Sequence, residues 1–186
     1  MINRREAIRC VSALLGGMAF VGGSNLLAAA EKPRPEVNGA VGDFTLQDIE
    51  LLDEIADTIL PATKTPGAKA AKTGAFMALM VTDCYGPEDQ KTFRAGLRSL
   101  ASFAAATPSQ RLALLTALDR EQHRVMDGRE GEQPAHYFGM MKQLAVLGYF
   151  TSEIGCTQAQ RYVESPGRFD PCIPYTPGES AWALHA

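Results

Sequence analysis

Thr45-Leu46-Gln47-Asp48-Ile49-Glu50-Leu51-Leu52-Asp53-Glu54-Ile55-Ala56-Asp57-Thr58-Ile59-Leu60-Pro61 decides how this chain is read. Thr45 with an acid three residues on is a capping signature: the hydroxyl takes an orphan amide of the first turn, and the carboxylate reaches back to the cap. Leu46, Ile49, Leu52, Ile55 and Ile59 then recur at the 3–4 residue spacing that builds one apolar helix face. Pro61, which has no N–H to continue the ladder, ends it. A helix with one apolar face has to bury that face against something.

The downstream sequence supplies partners of the same kind. Residues 61–74 read as a loop around Pro66 and Gly67. A second helix is expected from about Lys69 to Cys84, carrying Phe76, Leu79, Met80 and Val81. Gly86-Pro87 breaks the chain, and Pro87 suits the first turn of a third helix with a stripe of Phe93, Leu97, Leu100 and Ala104. Thr107-Pro108-Ser109-Gln110 repeats the start signal: a cap residue, proline at the first position, an amide three residues on. That fourth helix runs through Leu112, Leu115 and Leu118 to about Val125, and Asp127-Gly128 ends it. After a polar loop at 128–133, a fifth begins near Pro134 and carries Phe138, Met141, Leu144, Ala145 and Gly148 toward Ile154. No strand signal of comparable strength and no internal repeat competes. The fold class expected is all-α: a small bundle of about five helices over residues 44–154, followed by an extended C-terminal tail.

Upstream, the sequence is an address. Residues 31–43 hold Pro33, Pro35, Gly39 and Gly42 and read as a flexible leader. Before them, the paired Arg4 and Arg5, with Ile8 and Arg9, precede a run from Cys10 to Ala30 without a single charge. Gly16, Gly17, Gly22 and Gly23 dilute its hydrophobicity, and weak hydrophobicity beside paired arginines indicates the twin-arginine export route for folded cargo. Ala28 and Ala30 stand at the −3 and −1 positions that a signal peptidase accepts, so residues 1–30 read as a cleaved signal. Asn3 and Ala7 depart from the usual pattern, where Ser or Thr and Phe stand. The alternative is a retained anchor, since about 20 apolar residues span a bilayer; the glycines and the Ala-x-Ala end argue against it.

Composition sets limits. The 186 residues, 46% hydrophobic, suffice for one domain with a real core. Cleavage after Ala30 would leave 15 basic and 20 acidic residues, a mild acidity that disfavours nucleic acid or anionic lipid as a bulk-charge partner. Residues 155–186 contain Pro166, Pro171, Pro174 and Pro177, which forbid a long helix. Yet Tyr162, Phe169, Tyr175 and Trp182 are spread through them, and disordered tails are poor in aromatics. These four are the candidate docking residues of a tail that packs on its own bundle or on a partner.

Motifs for cofactors and catalysis are lacking: no Cys-x-x-Cys-His, no His-Glu-x-x-His, no phosphate-binding loop, no Gly-x-Gly-x-x-Gly after a strand and no Gly-x-Ser-x-Gly. No catalytic, cofactor-binding or metal-ligating residue is therefore assigned. Asp119, His123 and Asp127 share one helix edge, but two carboxylates and one imidazole fall short of a closed metal site, and a solvated face is the simpler reading. Cys84, Cys156 and Cys172 follow the signal. In an oxidising compartment two of them would pair. Cys156 with Cys172 is the candidate bridge, closing 15 intervening residues, which the chain-entropy view makes worth about 3 kcal/mol. Cys84–Cys156 and Cys84–Cys172 remain open, as do three free thiols.

Taken in order, these pieces resemble a known family. They are the N-terminal signal, the helix Leu51–Thr63 with its Pro66-Gly67-Ala68 loop, Gly148-Tyr149-Phe150-Thr151-Ser152-Glu153-Ile154-Gly155, Pro166-Gly167-Arg168-Phe169-Asp170-Pro171-Cys172-Ile173-Pro174 and Ala181-Trp182. The chain resembles the gluconate 2-dehydrogenase subunit 3 family. The resemblance implies a small non-catalytic subunit without a cofactor of its own. Its partner would be a large FAD-dependent dehydrogenase subunit of the glucose–methanol–choline type, often joined by a multihaem cytochrome c (haem c) subunit. It further implies a periplasmic complex at the inner membrane, acting on a sugar, sugar acid or alcohol, with this chain's signal carrying both subunits through the twin-arginine translocase. Two other classes compete: a free-standing periplasmic helical enzyme or ligand-binding protein, and a signal-anchored membrane protein.

Overall fold

In the computed structural model, residues 40–128, 135–164, 167, 172, 174 and 176–183 are described. Arg4, Arg5, Ala28 and Ala30 of the export signal lie outside them, as do Phe169 and Tyr175. The described residues form five α-helices: α1 Leu46–Ile59, α2 Thr73–Cys84, α3 Pro87–Ser99, α4 Pro108–Asp127 and α5 Tyr137–Phe150. A 3-10 turn, Phe103–Ala105, precedes α4, and a π-helical turn, Gly155–Ala159, follows α5. Among them there is no strand, only two isolated bridges, so the all-α expectation holds. None of these helices is long and apolar enough to cross a membrane.

Both sequence-read caps form. Thr45 Oγ1 accepts the Asp48 amide while Asp48 Oδ2 takes the Thr45 amide at 2.9 Å. Thr107 and Gln110 repeat that exchange at the start of α4, with Pro108 at the first position. The core face of α1 is Ile49, Leu52, Ile55 and Ala56. Leu46, read as part of that stripe, is the first residue of the helix and is exposed.

α5 is the central element and touches all four other helices. Its sequence explains why: apart from Lys142 it carries no charge, and a helix apolar on most sides is stable only when surrounded. Phe138, Met140, Met141, Leu144, Ala145, Gly148 and Tyr149 are buried. At Gly148 the missing side chain lets α2 approach; a Cβ there would stand 2.5 Å from the Phe76 ring.

Three boundaries differ from the sequence reading. α2 starts at Thr73, not Lys69, because residues 69–72 form a turn and Lys72 adopts the left-handed region at φ 54°. α3 stops at Ser99 and its stripe ends at Leu100; Ala104 is exposed, and Phe103 in the following 3-10 turn fills the place it was expected to take. α5 begins at Tyr137, capped by the His136 ring, whose Nδ1 accepts the Phe138 amide at 3.3 Å. On α2 the buried residues are Thr73, Gly74, Ala75, Met77, Ala78 and Val81, with Leu79 turned outward.

Candidate functional site

The segment between α1 and α2 is tied down by acids from α1. Asp53 Oδ1 accepts the Gly74 amide at 2.7 Å, so the first turn of α2 is capped from another helix, 21 residues away. Asp57 Oδ1 accepts the Lys69 amide at 3.2 Å, and Ala68 N–H donates to Leu60 O at 3.0 Å. Tyr149 of α5 donates its hydroxyl to Pro66 O at 2.7 Å. Glu54 holds an ion pair with Lys69 on one oxygen and with Arg111 of α4 on the other. Arg111 also donates Nε to Phe103 O and Ala106 O and lies over the Phe103 ring. The family-like stretch is thus a polar staple joining α1, the loop, the 3-10 turn and α4.

Electrostatics assign the acids different parts. Burial pushes the Asp53 carboxyl above its ordinary value, with the Gly74 amide and Lys69 pulling the other way. The Lys69 hydrogen bond, helped by Arg111, holds Glu54 below its ordinary value against the effect of burial. The raised Asp53 contributes stability at pH below its unfolded value and loses it as pH rises through its folded one. The lowered Glu54 contributes above its unfolded value and loses it as pH falls through its folded one. At pH 7, Asp53→Asn is therefore expected to unfold within about 1 kcal/mol of the wild type or to be more stable, since the amide oxygen still serves Gly74. Glu54→Gln, which loses two charged partners, should cost roughly 1–3 kcal/mol. Thermal melts at pH 7 and pH 3 check both signs; the Glu54→Gln deficit shrinks at the lower pH.

The Asp119, His123 and Asp127 edge does not converge. Asp119 pairs with Lys142 of α5 at 2.7 Å, which lowers its carboxyl. His123 Nδ1 turns to the backbone oxygen of Asp119 at 2.6 Å, and Asp127 is exposed. Among the described residues no three His, Cys, Asp or Glu side chains stand together as metal donors. Among the described residues Cys84, Cys156 and Cys172 are free: Cys84 and Cys172 are exposed, and the candidate bridge Cys156–Cys172 is not formed. Cys156 lies within the π-helical turn with Sγ directed at Phe150 O, 3.2 Å away.

Of the four tail aromatics, two are described. Tyr162 is 52% exposed and stands beside exposed Val163. Trp182 packs on its own chain instead: the Arg161 guanidinium lies 4.5 Å from its ring centroid. The structure also shows apolar surface that the helical stripes did not suggest. On α4 only Leu115 and Leu118 are buried, while Leu112 is 58% exposed and Leu114, Val125 and Met126 are open as well. Val146 and Leu147 of α5 face outward too. A signal existed in the run Leu112-Ala113-Leu114-Leu115, which places apolar groups on more sides than one neighbour can cover.

No curated protein and no solved structure matches this chain. A family model does: gluconate 2-dehydrogenase subunit 3 matches residues 47–167, from the first turn of α1 to past the π-helical turn. With about two thirds of its length matched, spanning the staple and all five helices, this chain belongs to the gluconate 2-dehydrogenase subunit 3 family.

Proposed function

We propose that this chain is the small, non-catalytic subunit of a periplasmic, membrane-associated FAD-dependent dehydrogenase of the gluconate 2-dehydrogenase type. It escorts the folded flavoprotein subunit through twin-arginine export and then stabilises it. The family match carries the reading, because that family is defined as one subunit of a larger assembly. The paired Arg4 and Arg5 ahead of an uncharged run support export in the folded state. The acids of α1 are engaged in caps and ion pairs, which supports a scaffold rather than a reacting centre. Exposed Leu112, Leu114, Val125, Met126 and Tyr162 offer apolar contact area to a partner. In the complex, FAD would reside in the large glucose–methanol–choline-type subunit and haem c in a cytochrome subunit.

Native affinity purification of the tagged full chain tests this. A large flavoprotein should accompany it in equimolar amount, release FAD on denaturation and show dye-linked dehydrogenase activity. After separation, the small chain should show neither flavin absorbance nor activity. A chain that purifies alone, or that keeps the flavin for itself, overturns the proposal.

A further inference from the structure

Beyond the helices, the chain returns to itself at one point. Arg161 N–H donates to Ala181 O and Ala183 N–H donates to Arg161 O, each at 2.8 Å, forming a parallel bridge between Arg161 and Trp182. The Arg161 guanidinium stacks on the indole, and its Nη1 stands 3.3 Å from Glu179 Oε2. Ala183, next to the indole, is buried. Closing this contact leaves two donors without an acceptor: Arg161 Nε and Trp182 Nε1 are both buried and find no partner among the described residues. Buried donors are paired in the great majority of cases, and each orphan bears its full desolvation cost. Here two of them lie in the same small contact. The forces holding it are modest by comparison: two backbone bonds, one partly exposed ion pair and one cation–π stack.

We propose that Arg161, Glu179 and Trp182 form a releasable clasp, closed in the isolated chain but destabilised by its own two orphan donors. Opening returns both donors to water and frees the only tryptophan of the chain. The clasp is a property of this chain alone and does not rest on the subunit role proposed above. Where a partner meets the open form, a carboxylate or peptide carbonyl is the chemistry that would satisfy both donors.

Amide hydrogen exchange in the full chain tests it, because the amides of Arg161 and Ala183 form the two bridging bonds. Both should exchange at least about tenfold faster than the buried α5 amides, as expected for local opening rather than global unfolding. Trp182→Phe keeps a ring beneath Arg161 and deletes the N–H, so Ala183 exchange should slow by about threefold or more. A benzothiophene analogue placed at position 182 keeps the ring size, lacks the N–H and should slow it likewise. Arg161→Ala should bring Ala183 to the rate of an unprotected amide while the helical circular dichroism stays unchanged. Bridge amides protected as strongly as α5, or exchange unchanged or faster with the analogue, overturns the proposal.

Discussion

Cells carrying Arg4→Lys together with Arg5→Lys are expected to retain this chain and the proposed flavoprotein partner in the cytoplasm, and dye-linked dehydrogenase activity in the periplasm and membrane should fall to background. The substitution preserves both positive charges, so an effect of charge alone on membrane approach is held constant. What changes is the planar, forked guanidinium pair, which an ammonium does not imitate. The uncharged run from Cys10 to Ala30 stays intact but is diluted by glycine, which makes it a poor substrate for the general secretory route. Loss should therefore be near complete rather than partial. Fractionation with separate detection of the two subunits reads the result. If the small chain is retained and the flavoprotein still leaves the cytoplasm, the escort role fails although the export signal stands.

The structure shows which parts of this protein were legible in its sequence. Thr45 with Asp48 and Thr107 with Gln110 were readable because a capping box is local: both partners lie within four residues. The start of α2 was not, because its cap is Asp53 of α1 and the turn before it uses Lys72 in the left-handed region, which no local rule assigns to lysine. The same holds for α5, where an imidazole supplies the cap in place of the usual hydroxyl or carboxylate. Burial followed periodicity on α1, which packs against α2, α4 and α5, and failed on α4, whose leucines cover more directions than its two main neighbours, α1 and α5, can fill. The family-like stretch Leu51–Thr63 could be recognised, yet its physical content could not. That Glu54 bridges Lys69 and Arg111 depends on residues 15 and 57 positions away. For the tail, composition indicated aromatics that pack. It did not indicate that Trp182 packs on Arg161 of its own chain while Tyr162 stays open.

The close crossing of α1 and α2 yields the largest expected stability effect. Gly74 sits in the first turn of α2 against the backbone of α1: a Cβ there would lie 2.5 Å from Ile49 O and 2.7 Å from Asp53 N. Both obstacles are main-chain atoms inside a helix, so no side chain can swing aside to make room. Gly74→Ala must push the two helices apart, and that strains the Gly74 N–H bond to Asp53 and opens contacts around the buried Leu52, Ile49 and Met77. Overpacking of this kind costs about 3 kcal/mol, and for a domain of this size that lowers the melting temperature by roughly 10 °C. Gly86 provides the comparison. It caps α3 with φ −67°, and a Cβ there meets nothing within 4 Å. Gly86→Ser places a preferred cap residue at that position and should leave the melt unchanged or raise it by a few tenths of a kcal/mol. The two variants, measured side by side by thermal circular dichroism, separate the loss of glycine as such from the loss of this crossing. Equal melting temperatures would mean that α1 and α2 stand further apart than the structure places them.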